Sequence, residues 1–321
     1  MSDSTCAPLI EAKGLCCNGL YGDAFEDIDL CLAPGTAAAL VANPKSAGFL
    51  LMHCLMGFLP HSRGELRVLG MDPRQWGRDE RRRVSLVRGA PRFPFAMRVE
   101  ELLSQVAMLM GDKGGCERVL EDFGLKEVRG KYLHFLNAEL QQLVRVACSV
   151  LGSPDVMMYE SLFQHLSPAR AKTVRQVLAG ERDKGKLILF VADELVSVAA
   201  FCDVAVVMSG GRVRAADKPE KMMKDNSGWL TVEIETEGDF CGAHVEKLPF
   251  VRGVEAREGR FCLMLDDSPG SIYALMDALR ARGVDLRWLR VNRPSLQDIV
   301  ERMLMGEQKT EIGGRQADSG T

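Results

Sequence analysis

The sequence predicts an α/β fold: a covered, largely parallel sheet with an antiparallel part, followed by a small α+β domain. Three observations carry this expectation. Short apolar runs alternate with helical segments as far as about residue 222, the pattern of parallel strands covered by helices. The earliest strand-like runs lie closer together, which points to antiparallel pairing there. Beyond residue 228 the pattern restarts as β-α-β-β-α-β plus a helix, the split arrangement of ferredoxin-like domains.

The elements follow in order. Strand-like runs are LIEAKGL (9–15), AFEDIDLCL (24–32), TAAALVA (36–42), GELRVLG (64–70) and RVSLVRG (83–89). Later come DVMMYES (155–161), LILFVA (187–192), VAVVMSG (204–210) and GRVRAAD (211–217). Helical segments fall at 99–111, 115–123, 138–151 and 168–183. MMKDNSG (222–228) is a polar, glycine-ended connector. After it stand WLTVEIET (strand), FCGAHVEKL (helix) and GVEAREGRFCLMLDD, two strands around the turn Glu258-Gly259. SIYALMDALRARG (helix), DLRWLRV (strand) and PSLQDIVERMLM complete the set, the last a helix entered through Pro294 and Ser295. The tail GEQKTEIGGRQADSGT is polar and glycine-bearing and is expected to be disordered. The expected domains are therefore 8–222 and 228–305, with a tail over 306–321.

Composition narrows the function. A chain of 321 residues, 46% hydrophobic, suits two globular domains. A net charge of -3 leaves no electrostatic footprint for nucleic acid or an acidic membrane. The dense basic run RDERRR (78–83) is interleaved with Asp79 and Glu80 and reads as a solvated helix face. Ten cysteines are scattered without a CxxC. The opening MSDSTCAPLIEAK has neither a basic n-region nor an apolar h-region, so no signal peptide is expected and reduced cytoplasmic thiols fit best. No His/Cys cluster has metal spacing, and no apolar run approaches the ~18 residues of a spanning helix. At a membrane, a partner would supply the membrane part.

The stretch VANPKSAGFLL (41–51) joins a buried strand to a buried helix through small residues. That is the setting of a phosphate-binding P-loop, without its GK[ST] ending. Around it stand LYGDAFEDIDLCLAPGT (20–36), GFLPHSRGELRVLGMDPR (57–74), LGSPDVMMYES (151–161) and AAFCDVAVVMSGGRVRAADKPEKMM (199–223). In these segments the chain resembles an ABC transporter ATP-binding subunit. The C-terminal PSLQDIVERM resembles the ending of exporter-type subunits. The resemblance implies an ABC-ATPase-like P-loop NTPase fold with a mixed sheet and a helical subdomain.

The scaffold persists in that resemblance, and the chemical residues do not. Tyr21 occupies the place of an adenine-stacking aromatic. Gly48 falls where the phosphate-binding lysine belongs, and Phe49 and Leu50 fall on the hydroxyl pair that holds magnesium. Lys45 is either a substitute reaching back over the phosphates or an exposed lysine. Gly89 stands at the Q-loop glutamine, with Arg88 read as a surface residue. Glu160 and Ser161 end the Walker B strand; Glu160 could hold magnesium through water, whereas Ser161 is no base at neutral pH unless another group activates it. Asp193 stands at the switch histidine, where it would repel a γ-phosphate or else cap the next helix. Asn137, Ala138 and Glu139 replace the serine and glycines of the signature. QHLS (164–167) replaces the D-loop, with His165 read as an interface or surface residue.

Phosphoryl transfer depends on metal ligands, charge stabilisers and a positioned base, so no catalytic residue is assigned. No cofactor is expected, and ATP with magnesium at most as a weak ligand. The resemblance implies a pseudo-ATPase subunit on the cytoplasmic side, dimerised with an active paralogue and docked on a membrane permease through residues about 88–112. Two other readings stand beside it. One is residual nucleotide binding or slow hydrolysis through Tyr21, Lys45 and Glu160. The other is a soluble interaction module working through the C-terminal domain.

Overall fold

The computed structural model describes residues 7–19, 24–43, 45–88, 93, 97–191, 196–226, 228–237, 243–257, 260–268 and 270–305. The chain forms two compact units: it leaves the first after Lys218 and re-enters it at Met303.

The first unit opens with β1 (Ile10–Asn18), β2 (Ala24–Leu32), β3 (Ala37–Asn43), α1 (Lys45–Leu55) and β4 (Arg63–Val68). Next come α2 (Arg78–Arg82), β5 (Val84–Val87), α3 (Val99–Met110), α4 (Gly115–Asp122) and α5 (Ala138–Ser149). It continues through β6 (Val156–Glu160), α6 (Pro168–Asp183), β7 (Leu187–Val191), α7 (Val196–Ala199), β8 (Val204–Ser209) and β9 (Arg212–Asp217). The closely spaced early strands pair antiparallel, in the order β2-β1-β4. The later strands form a mixed sheet, β5-β6-β7-β3-β8-β9, parallel throughout except for the closing β8-β9 pair.

The central strand β3 is buried from Ala37 to Ala42. Its alanines let α1 approach closely, and Ala47, Leu50, Leu51 and Met52 of that helix join Leu40, Ala42 and Val191 in one apolar cluster. At full burial each large side chain of such a cluster contributes roughly 1.5–3 kcal/mol. On β6, Tyr159 is wholly buried and stacks on Phe190 of β7 at 5.8 Å between centroids. Its hydroxyl needs a partner in that setting and shares a 2.8 Å hydrogen bond with the Ser149 hydroxyl. Burial pushes the phenol's pKa up.

A close backbone approach requires glycine at position 64. Gly64, beginning β4, has φ +91°, and a Cβ there would overlap the Gly14 carbonyl oxygen and lie 2.7 Å from the Leu15 Cα. The β1–β4 register breaks at this point, between Lys13 and Cys16.

The second unit runs through α8 (Pro219–Asp225), β10 (Trp229–Glu237), α9 (Ala243–Glu246), β11 (Val251–Arg257), β12 (Arg260–Asp266), α10 (Ser271–Arg280), β13 (Asp285–Asn292) and most of α11 (Leu296–Met305). Its sheet has the order β11-β12-β10-β13 with every pair antiparallel. Val232, Ile234, Leu263 and Leu265 of the sheet pack against Val245, Leu275 and Leu279 of α9 and α10. This is the β-α-β-β-α-β arrangement expected from the sequence. The end of α11 returns to the first unit, where the Ser209 hydroxyl donates to the Leu304 carbonyl at 2.9 Å. The turn Glu258-Gly259 and residues 306–321 lie outside the described residues. Among the described residues no helix is long and apolar enough to cross a membrane.

Candidate functional site

In an α/β sheet, ligands gather beyond the carboxyl ends of the strands. Here those ends are Asn43 of β3, Val87 of β5, Glu160 of β6 and Val191 of β7. Of the residues expected at this edge, Tyr21, Gly89 and Asp193 lie outside the described residues, as does the side chain of Lys45.

The junction of β3 and α1 differs from the loop that the sequence led us to expect. A phosphate cradle needs several consecutive residues whose amides turn inward. Here the strand runs to Asn43 and the helix begins at Lys45, with one residue between them. The residues that would wrap a phosphate are instead divided between the end of a strand and the first turn of a helix. Apolar burial favours this outcome: Ala42 and Ala47 belong to the core cluster on either side of the junction.

Gly48 is part of the same packing. A Cβ at this position would lie 3.2 Å from the Ala42 Cβ and 3.4 Å from Val191 Cγ1. A side chain at the position of the P-loop lysine therefore needs its neighbours to give by a few tenths of an ångström. Phe49 packs, partly buried, against the apolar cluster, so its ring is a core element rather than bulk standing in an open site.

Glu160 is a strand-end carboxylate with 17% of its side chain exposed, and Arg88 meets it, Nε to Oε2, at 3.5 Å. The sequence reading placed Arg88 at the surface. The structure keeps it half exposed but pairs it with the one acid that could have held magnesium. The strand register supplies the reason: Val87 lies opposite Tyr159 in the parallel β5–β6 pair, so the next residues emerge side by side. His53 of α1, not singled out from the sequence, adjoins this pair. Burial first, then the Arg88 charge, pushes its pKa below the ordinary histidine value, against an opposing pull from Glu160. Ser161 follows in the left-handed region at φ +48°, its N–H donating to the Val191 carbonyl at 3.0 Å.

The signature-equivalent residues serve their own chain. Asn137 is the N-cap of α5, its side-chain oxygen accepting from the Leu140 N–H at 2.9 Å, the arrangement favoured at a helix start. Ala138 opens the helix. The Glu139 carboxylate accepts from the Ser167 N–H, at the N-cap of α6, at 2.8 Å. Hydrogen bonds from Ser167, aided by the Arg170 charge, hold its carboxyl below the usual carboxylate range. Its partner within the chain is the entry to α6. His165 is exposed, at φ +69°.

The fold implies a magnesium nucleotide at this edge, and the described residues do not fit one. A side chain at the position of the P-loop lysine needs its neighbours to shift slightly, Phe49 packs partly buried against the core, and Glu160 already faces a cation. Among the described residues no three His, Cys, Asp or Glu side chains gather as metal ligands.

No protein-family model matches the sequence. Related proteins do. The chain is 27% identical over 228 residues to a hemin import ATP-binding protein, HmuV, of Pseudomonas entomophila, covering 67% of this chain and 89% of that one. It is 22% identical over 290 residues to an uncharacterized ABC transporter ATP-binding protein of Synechocystis, covering 88% of this chain and 78% of the other. It is 26% identical over 240 residues to the zinc transport system ATP-binding protein TroB of Treponema pallidum, covering 68% and 86%. Among solved structures, an ATP-binding subunit of an ABC transporter superposes with TM-score 0.61 at 21% identity, covering 68% of this chain and 92% of that one. The cbiO1 subunit from Clostridium perfringens, described as part of the ABC transporter complex cbiONQ, superposes with TM-score 0.60 at 19% identity, with the same coverage. The order of sheets, the strand edge and these relationships agree: the chain is similar in sequence to ABC transporter ATP-binding proteins and shares the fold of their solved subunits.

Proposed function

We propose that this chain is a pseudo-ATPase subunit of an exporter-type ABC transporter. It pairs with a competent paralogue at the cytoplasmic face and docks a membrane permease. The observation that supports the reading is the β3–α1 junction, where the helix begins one residue after the strand ends and Ala42 and Ala47 on either side are packed into the core. Export rests on the ending PSLQDIVERM; the relatives include a hemin import protein and a fluoroquinolones export protein. The permease partner is supported by the cbiONQ complex to which one structural relative belongs.

Calorimetric titration of the purified chain with Mg-ATP tests the reading directly. The expected result is no heat of binding up to ~1 mM nucleotide, a limit of about -4 kcal/mol. Micromolar binding that Lys45→Ala abolishes would replace this reading with a residual nucleotide site.

A docking groove fits the proposed permease contact. Trp76, Arg78, Arg81 and Arg82 from the α2 region and Leu109 and Met110 of α3 line a cavity of about 530 Å³. Among the described residues the three arginines enter no ion pair, and Met108 and Leu109 are exposed beside them. Apolar area next to unpaired positive charge suits an amphipathic segment with acidic residues. The double variant Arg81→Glu/Arg82→Glu is expected to lower co-purification of the permease at least ~10-fold, since like charges across an interface cost several kcal/mol. Unchanged capture would place the permease elsewhere.

A further inference from the structure

The carboxyl ends of β5 and β6 hold a charge arrangement that the loss of nucleotide chemistry does not itself require. Glu160 ends a strand whose other residues are wholly buried, and its own side chain is only 17% exposed. A carboxylate so far out of water needs a positive partner. In a nucleotide site that partner is a divalent cation shared among a carboxylate, waters and phosphates. Glu160 has one of another kind. The parallel register sets Val87 against Tyr159, and the residue that follows β5, Arg88, brings its guanidinium to 3.5 Å from the Glu160 carboxylate.

The third group at this place does not compete for the role. His53 lies close enough to respond to both charges, and burial together with Arg88 pushes its pKa below the ordinary histidine value, away from a second positive charge. The cation facing Glu160 is thus a covalently attached one. Its local concentration does not depend on metal supply, and a guanidinium keeps its charge at physiological pH.

We propose that Arg88 is a tethered cation that has taken over the charge-balancing role of a divalent metal at Glu160, so that this sheet edge holds together without metal or nucleotide. The proposal rests on the nucleotide-independent reading above, but its test separates the two.

The test is thermal unfolding of the full chain in EDTA and in about 10 mM Mn²⁺, where a ligand that binds only the folded state raises the midpoint. The wild-type midpoint is expected to be the same in both. Arg88→Met is expected to lower it by roughly 2–4 °C in EDTA and to recover a measurable part of that loss in Mn²⁺, because a bare Glu160 now attracts the ion. Arg88→Met/Glu160→Gln should show no recovery. Arg88→Lys, which keeps a charge, should stay as insensitive as wild type. If Arg88→Met fails to fold, Arg88→Gln is the milder neutral variant, and the same metal response is required of it. A folded neutral variant that ignores Mn²⁺, or a wild-type chain stabilised by Mn²⁺ as much as the variant, overturns the proposal. Wild-type binding of Mg-ATP in the calorimeter would instead sink the nucleotide-independent reading itself.

Discussion

Gly48→Lys, the substitution that would restore the expected P-loop lysine, is expected to destabilise the first unit by about 3 kcal/mol and to leave Mg-ATP unbound. The position lies beneath core side chains. A Cβ already reaches 3.2 Å from Ala42 and 3.4 Å from Val191, and a four-carbon stem must then displace α1 from β3 or thread between them. An ammonium left in that apolar contact adds a desolvation cost to the overpacking. Gly48→Ala is the control. Alanine gains about 1 kcal/mol of helix propensity over glycine, which offsets the two tight contacts, so its stability should stay within ~1 kcal/mol of wild type. The measurement is the thermal midpoint, with an expected fall of roughly 6–12 °C for lysine and almost none for alanine. A lysine variant that keeps its midpoint and binds Mg-ATP would show that the junction still opens as a phosphate loop, and the pseudo-ATPase reading would fall.

Gly64→Ala should cost about as much for a different reason. Its φ of +91° disfavours any side chain, and a Cβ would overlap the Gly14 carbonyl. The obstruction is backbone, so no rotamer change relieves it, and β1 and β4 must part where Ser62 donates to the Cys16 carbonyl at 2.8 Å. A loss of about 3 kcal/mol is expected. Gly70→Ala isolates the conformational share, because its φ is +83° but nothing lies within 4 Å of the added atom. That variant should lose only about 1 kcal/mol. Equal losses in urea unfolding would show that strain rather than collision sets the cost at Gly64.

The contrast between these sites shows what was readable beforehand. Strand runs such as AFEDIDLCL and the helix over 168–183 were legible because burial imposes a period on the residues, and both appear with the expected limits, at Ala24–Leu32 and Pro168–Asp183. The antiparallel opening sheet followed from strand spacing. The junction after β3 was not legible as closed. Small residues suit a phosphate loop and a tightly packed strand–helix contact equally well, and only the partners Ala42 and Val191 decide between them. Arg88 and Glu160 stand far apart in the chain, and their meeting depends on a register that composition does not reveal. Glu139 was recognisable as an acid in a helix's first turn, but its bond to Ser167 joins two helices brought together by packing. Asn137 was readable from local chemistry alone, and it caps α5.

The return of the chain to the first unit at Met303, with the Ser209 hydroxyl bonded to the Leu304 carbonyl, has a consequence for biosynthesis. A ribosome making this protein completes β8 and then the whole second unit before the last contact of the first unit exists. At ~5–20 residues per second that interval is on the order of ten seconds. During it, the nascent first unit lacks its closing contact while the second unit is being produced. For the same reason, cutting the chain after Lys218 does not separate two complete domains; it leaves the first without the segment that finishes it.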